Sequence, residues 1–387
     1  RKIAVEAGGD PRYRGAMDTT APFEIFLVAL PGLEDALLDE VRAAGFAGAD
    51  SVPGGVALQG GWPEVWRANI ELRGASRVLA RIGSFRAFHL AQLDKRARKF
   101  PWHEVLRTDV PVKADVTCRV SKIYHAGAAA QRIETALREE LGVEVTAEAP
   151  LVLKVRIDDN LVILSVDTSG EGLHKRGHKV AVGKAPMRET LAALFLRQCG
   201  YDGVEPVLDP MCGSGTFPIE AAEIASGLLP GRSRRFAFED LATVDAAAVQ
   251  ALRERASGAV PDLRFYGYDR DAGAIRMATE NAVRAGVGDQ TTFTVQPVSD
   301  LARPDGPPGL VMVNPPYGAR IGNKKLLYGV YAGLGARLSE GFSGWRVGLV
   351  TSEPSLAKAT GLPFKPAGPP VPHGGLKIRL YQTGPLR

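Results

Sequence analysis

Asn314-Pro315-Pro316-Tyr317-Gly318 is the stretch of this sequence best suited to chemistry. It follows the apolar run Leu310-Val311-Met312-Val313, which reads as a buried strand. Two prolines lock the backbone and remove its amide donors. The Asn314 side-chain oxygen and the Pro315 carbonyl can then converge as two acceptors on one NH2 group of a planar ring. Holding both hydrogens turns the nitrogen lone pair out of conjugation and toward an incoming methyl. The carbonyl dipoles also stabilise positive charge growing on that nitrogen. Pro316 completes the rigid corner, Tyr317 offers an aromatic face for stacking an extruded base, and Gly318 leaves room for it. The bland alternative is a proline-rich turn. A methyl transfer to cytosine C5 would instead need a nucleophilic cysteine beside this corner, and none is there.

A second signal lies upstream, in Val207-Leu208-Asp209-Pro210-Met211-Cys212-Gly213-Ser214-Gly215-Thr216. An apolar strand ends in an acid, a glycine turn follows, and a helix begins. A dinucleotide fingerprint would need glycine where Pro218 stands, and no Gly-Lys-Ser/Thr is present for a phosphate loop. An acid at the turn repels pyrophosphate but attracts a ligand carrying an ammonium and a sulfonium. Asp209, Met211, Cys212, Gly213, Ser214, Gly215 and Thr216 are therefore candidate donor-binding residues, Cys212 by packing. Asp269, with Arg270 beside it, ends the next strand and can bind both hydroxyls of a ribose. Ser299 and Asp300, after the third strand, are placed for an adenine amino group, although an Asp in a loop is more often a turn former. Asp271 reads better as the cap of a helix over 272–285. His174, His178 and His373 sit in polar stretches and read as solvated.

These motifs need strands to carry them. From residue 185 onward, apolar strands alternate with helices: 204–208, 264–268, 291–296, 310–313 and 345–351, with helices over 186–198, 217–225 and 272–285. That order predicts a doubly wound parallel sheet. A helix over 246–255 sits in an insert. Leu362 to Pro366 and Leu376 to Thr383 read as a closing antiparallel hairpin. Ahead lie two smaller α/β patterns. One has strands at 23–30, 56–59 and 77–85 and helices at 33–44 and 62–72. The other has helices at 89–99 and 126–141, a strand at 112–118 and a hairpin over 151–166. A polar linker follows. Residues 1–20, with Met17 the candidate initiator, read as a loose tail without an apolar signal core.

Composition agrees with a soluble globular chain, 45% apolar and 24% charged, without a membrane-length apolar run. Cys118, Cys199 and Cys212 match no metal or redox spacing, which points to a reducing, cytoplasmic setting and no bound metal. The net charge is +5 and the pI about 9.1. Between Arg81 and His125, ten Lys/Arg face four acids, so this stretch can account for the whole excess. It is either an anion-binding face or a solvated one.

Together these residues resemble class I methyltransferases, and more narrowly the THUMP-containing guanine-N2 RNA methyltransferases, which include a 23S rRNA enzyme and tRNA position-6 enzymes. The likeness runs from Phe23 onward. It is carried by Leu30-Pro31-Gly32-Leu33-Glu34, Val120-Ser121-Lys122-Ile123-Tyr124-His125 and Gly172-Leu173-His174-Lys175-Arg176-Gly177-His178. Ala185-Pro186-Met187-Arg188-Glu189-Thr190-Leu191 and Phe236-Ala237-Phe238-Glu239 add to it, beside the motifs above. Ala319-Arg320-Ile321-Gly322 departs from the Gly-Glu-Arg-Leu-Gly of many relatives. Some bacterial rRNA enzymes also carry a second, fused methyltransferase, which this sequence does not contain.

The resemblance implies a Rossmann-like class I methyltransferase fold over 185–387, a mostly parallel seven-stranded sheet with a terminal antiparallel hairpin. It implies an α+β ferredoxin-like domain over 21–85, a THUMP domain over 86–168 and a linker over 169–184. It implies S-adenosyl-L-methionine as donor, with Asp209, Gly213 and Gly215 around its methionine part, Asp269 on the ribose, Asp300 near adenine, and Asn314, Pro315 and Tyr317 at the target amine. The expected partner is structured RNA, 23S rRNA ahead of tRNA, gripped by Lys95, Arg96, Arg98, Lys99, Lys122, Arg132, Lys175 and Arg176. Adenine-N6 methylation and a non-catalytic assembly role are the competing readings, and a monomer is the default state.

Overall fold

The structure is a computed structural model that describes residues 21–179, 187–255, 262–317 and 324–387. The front of the chain runs β1 (Phe23–Val28), α1 (Glu34–Ala43), β2 (Asp50–Val52), β3 (Gly55–Gly60), α2 (Trp62–Glu71) and β4 (Arg77–Arg86). It continues through α3 (Leu90–Arg98), β5 (Val112–Arg119), α4 (Ala126–Ala136), β6 (Leu151–Asp158) and β7 (Leu161–Asp167). The helix expected over 126–141 ends in a π turn, Leu137–Leu141, stopped by Gly142 in the left-handed conformation.

The two front patterns do not make two sheets. Their strands share one, ordered β2-β3-β1-β4-β7-β6-β5, because β4 pairs antiparallel with β7. Pairing covers an edge that each half would otherwise expose. The expected strand at 56–59 is one arm of a hairpin whose short partner, Asp50–Val52, the pattern did not suggest. Between β6 and β7, Asp159 and Asn160 both take positive φ (47° and 60°), the geometry of a two-residue hairpin turn.

The rear part carries α5 (Glu189–Gln198), β8 (Val207–Asp209), α6 (Thr216–Ala225), α7 (Ala246–Arg253), β9 (Phe265–Asp269), α8 (Ala272–Ala285) and β10 (Thr291–Val295). Then come β11 (Leu310–Val313), α9 (Lys324–Gly341), β12 (Arg346–Thr351), α10 (Pro354–Ala359), β13 (Val371–His373) and β14 (Leu376–Gln382). The strand order is β10-β9-β8-β11-β12-β14-β13, parallel except for the β12–β14 and β14–β13 pairs. This is the mostly parallel, hairpin-closed sheet that the alternation called for.

The hairpin itself differs from expectation. Its first arm is Val371–His373, not Leu362 to Pro366, which runs as irregular chain. Prolines at 363, 366, 369 and 370 supply no amide hydrogens, so no regular ladder forms there. The polar stretch after β7 is not a free linker either. Thr168, Ser169, Leu173, Arg176 and His178 are buried. Residues 1–20 and 180–186 lie outside the described residues, so the expected tail and the end of the linker do too. Among the described residues no helix is long and apolar enough to cross a membrane.

Candidate functional site

Register places the chemistry. β8 lies between β9 and β11, and the strand order reverses there, the position where open α/β sheets take their ligands. Leu208 is level with Val311 on β11, and Asp209 with Gly267 on β9. Asn314 and Asp269 therefore each emerge two residues further along than Asp209, on either side of the glycine turn. Two strand spacings separate β9 from β11, roughly 10 Å.

The turn is held by backbone and by Asp269. Cys212 N–H donates to the Tyr268 carbonyl (2.8 Å), and Gly213 N–H donates to Asp269 Oδ2 (3.0 Å). Asp269 Oδ1 accepts the Asp271 amide at 3.0 Å, so each carboxylate oxygen keeps one further lone pair. Asp209 is buried, and its Oδ1 accepts the Met211 amide at 3.0 Å. Burial pushes its carboxyl well above the ordinary range; the Met211 amide pulls it down and Asp269 pushes it further up.

Gly215 opens α6 at φ 83°, and a Cβ there would stand 3.0 Å from Ala278 Cβ. Glycine thus lets α8 pack against the turn. Gly267 on β9 serves the same end: a Cβ would lie 2.5 Å from the Phe293 ring and 3.0 Å from Cys212 Sγ. Cys212 is buried among Ile275, Ala278 and Phe293, a packing residue as expected. Ser214 is buried, and its carbonyl accepts Asn281 Nδ2 at 3.1 Å. Met211 is half-buried against the second core cluster.

Lys179, which sequence patterns did not single out, fixes the start of α6. Lys179 Nζ donates to Thr216 Oγ1 at 2.8 Å and pairs with Glu189 at 3.0 Å. A cavity of about 10 Å³, lined by His178, Lys179, Glu189, Thr216, Ile219, Glu220 and Asn281, lies against this corner. It has room for one water and is far too small for a nucleoside ligand. On the outer strands the expected residues are peripheral. Arg270, Ser299 and Asp300 are exposed, and the Ser299 hydroxyl donates to Asp300 Oδ1 at 2.9 Å. Asp271 caps α8, its Oδ1 accepting from Gly273 at 2.6 Å.

At the end of β11, Asn314 is half-buried, Pro315 buried, Pro316 exposed and Tyr317 half-buried against both large core clusters. Asn314 Oδ1 is itself buried and accepts no hydrogen bond from a described residue. A buried acceptor without a donor is costly unless a ligand N–H meets it. The Pro316 carbonyl is held by the Tyr331 hydroxyl (3.3 Å), which also lies 3.2 Å from Thr351 Oγ1. Tyr331, on α9, escaped notice because a lone Tyr at helical spacing looks like core. Gly318 and residues 319–322 lie outside the described residues.

The basic residues fall into two groups. Lys95, Lys99, Lys122 and Arg132 are exposed, and Arg96 is half-buried. Arg98 is occupied by Asp94 (3.0 Å), Glu139 (2.5 Å) and Glu140 (3.0 Å), and Lys175 by Glu171 (2.5 Å). Arg176 does not fit an RNA-gripping role. Its side chain is 1% exposed and pairs with Glu220 at 3.1 Å. Charge is visible in a sequence, but the depth at which it sits is not. His174 and His178 are likewise not solvated: His174 is half-buried, and His178 is buried with Nε2 3.4 Å from Glu223.

Residues 176–364 match the model described as "RMKL-like, methyltransferase domain", and residues 24–79 match that of the "RlmL ferredoxin-like domain". The chain is 36% identical over 362 residues to the ribosomal RNA large subunit methyltransferase K/L of Syntrophotalea carbinolica, a match that covers 88% of this chain and 51% of that protein. The chain thus spans about half the length of that curated relative. A predicted N6-adenine-specific DNA methylase from Listeria monocytogenes superposes with TM-score 0.83 and 30% identity, over 94% of this chain and 97% of that one. A putative methyltransferase complexed with SAH gives TM-score 0.83 and 26% identity, over 95% and 99%. Matched by these two models and by a 30%-identical relative over nearly its whole length, this protein belongs to the RMKL-like methyltransferase family.

Proposed function

We propose that this chain is an S-adenosylmethionine-dependent RNA methyltransferase that methylates the exocyclic N2 of a guanosine in structured RNA, with 23S rRNA the leading substrate. The observation that carries this reading is the buried Asn314 Oδ1 at the end of β11, one strand from the glycine turn and without a hydrogen-bond partner among the described residues. The similarity to a large-subunit rRNA methyltransferase supports RNA as the substrate.

When bound, S-adenosylmethionine supplies an electrophilic methyl on a sulfonium. Asp209, Met211, Gly213, Ser214, Gly215 and Thr216 form the wall for its methionine part. Asp269, with Arg270 near it, keeps lone pairs for a ribose, and Ser299 and Asp300 border the adenine side. Asn314 Oδ1 and the Pro315 carbonyl accept the two hydrogens of the target amine, and Pro316 and Tyr331 keep the corner rigid. Tyr317 lies where it can stack on an extruded base. The amine loses its proton after transfer, so neither a strong general base nor a metal is required. Alignment supplies most of the rate.

Residues 21–85 form the ferredoxin-like part in this reading, 86–168 the THUMP part that grips RNA, and 185–387 the methyltransferase domain. Three unpaired thiols agree with a reducing cytoplasm. A second reading, adenine-N6 methylation, is favoured by the description of the Listeria relative and shares the same corner. Incubation with labelled donor and separate rRNA and tRNA pools, then nucleoside analysis, decides between them. N2-methylguanosine in rRNA is the expected product. N6-methyladenosine would transfer the assignment to adenine, and no label in either RNA would overturn the reading.

A further inference from the structure

The two acceptors of the corner suit an NH2 group but do not select the base that carries it. Adenine, cytosine and guanine all present one. In adenine and cytosine the ring nitrogen beside the amino group is bare, whereas guanine carries N1–H beside N2. A group that accepts N1–H therefore selects guanine. An ionised carboxylate only accepts, so it also repels the bare nitrogen of the other two bases.

Glu353 is placed for this role. β11 and β12 are parallel neighbours, with Val313 level with Leu349. Four residues beyond that pair, the two chains reach Tyr317 and Glu353. β11 lies between β8 and β12, so the corner has the glycine turn on one side and the segment of Glu353 on the other. With the donor on the β8 side, the β12 side is left for the base edge next to the amine. Glu353 is half-buried and is the N-cap of α10, yet its side chain does not bond to the helix amides as a capping side chain does. Its backbone N–H donates to Thr351 Oγ1 at 3.3 Å, and that oxygen lies 3.2 Å from the Tyr331 hydroxyl on the Pro316 carbonyl. Two hydroxyls thus tie the backbone of Glu353 to the backbone of the corner. Burial raises the pKa of the Tyr331 hydroxyl, the Thr351 hydrogen bond lowers it, and Tyr317 and the Glu353 carboxylate raise it further. That carboxylate is therefore within Coulomb reach of the group that holds the corner.

We infer that Glu353 is the residue that selects guanine: its carboxylate accepts N1–H while Asn314 Oδ1 and the Pro315 carbonyl accept the hydrogens of N2. Three acceptors in a row match the donor edge of guanine and of no other common base. The inference rests on the guanine-N2 reading and adds to it what excludes adenine.

The test uses the full chain and a synthetic RNA that contains the nucleotide methylated by the parent protein, with guanine or 2-aminopurine at that position. 2-Aminopurine keeps the 2-amino group and lacks the N1 hydrogen. The parent should prefer guanine by about 100-fold or more in kcat/KM. Glu353→Ala should lose on the order of 100-fold on guanine and change by less than about threefold on 2-aminopurine, which erases the preference. Glu353→Gln, whose amide can donate to a bare N1, should gain about tenfold on 2-aminopurine. In both variants calorimetry should find affinity for S-adenosylhomocysteine within about twofold of the parent, a value that a merely structural Glu353 would move. If the parent does not distinguish the two bases, if Glu353→Gln lowers both substrates equally, or if its donor affinity collapses, Glu353 does not select the base, and guanine-N2 methylation by the parent still stands. If the parent yields N6-methyladenosine, the functional reading fails and the role of Glu353 with it.

Discussion

Arg73, in the approach to β4, places Nη1 2.7 Å from Glu220 on α6, so a cation at the front sheet grips the helix that begins at the glycine turn. The pair belongs to a buried network. Arg73 also lies 3.4 Å from Glu223, Arg176 3.1 Å from Glu220, and Arg232 2.6 Å from Glu223. Burial alone would raise the Glu220 carboxyl, but Arg176 and Arg73 outweigh it and hold it below the usual range. Removing one member strands a charge. Arg73→Met should destabilise the fold by about 3–5 kcal/mol in urea unfolding. Adding Glu220→Gln should recover part of that loss. A change below about 1 kcal/mol would show that the network carries no weight.

Asn314→Ala tests the corner. In the proposed mechanism its contact is to the target amine, so turnover should fall on the order of 100-fold while affinity for S-adenosylhomocysteine stays near normal. Single-turnover kinetics and calorimetry separate the two. Turnover close to that of the parent removes Asn314 from the mechanism.

If Asp209 borders the donor as proposed, donor affinity should depend on pH. Burial raises its folded pKa above the unfolded value, so within that window the folded protein binds the extra proton and stability falls as pH rises. A cationic ligand favours the carboxylate and must release that proton. Affinity for S-adenosylmethionine should therefore strengthen as pH rises through the window, with proton release visible as a dependence of calorimetric heat on buffer. Asp209→Asn should flatten the profile; an unchanged slope would mean another group titrates.

Gly215→Ala should cost more than Gly213→Ala. Both positions have positive φ, a strain of roughly 1–2 kcal/mol for alanine. Only at Gly215 does the new Cβ also crowd Ala278, Ile219 and Phe293, at 3.0–3.1 Å, whereas at Gly213 it meets nothing within 4 Å. Thermal unfolding of the two variants gives the comparison, and equal losses would refute the packing argument.

His174 should stay neutral in acid. Burial, then Arg188 and other nearby cations, pushes its pKa down to about 4. The unfolded chain takes up that proton near pH 6.5, so acidification from 6.5 toward 4 removes stability. Imidazole proton shifts in NMR report the titration directly, and a midpoint near 6.5 in the native protein would contradict it.

The rear sheet and the positions of its two motifs were legible in the order of residues alone. Alternating strands and helices dictate a parallel sheet, and an acid-glycine turn and a diproline corner each follow a strand of that sheet. Asp271 as a helix cap was legible for the same reason, since local chemistry is written in neighbouring residues. Features that rest on contacts far apart in the chain emerge only in the folded molecule. The joining of the front strands into one sheet rests on β4 meeting β7, whose first registered partners are Leu79 and Asp167. Arg176 reads as a surface cation until Glu220 arrives from another element to bury it. Tyr331 looks like core until its hydroxyl is found on the Pro316 carbonyl. Local propensity and motif spacing are carried by a short stretch of chain, whereas burial and pairing depend on which distant surface packs against it.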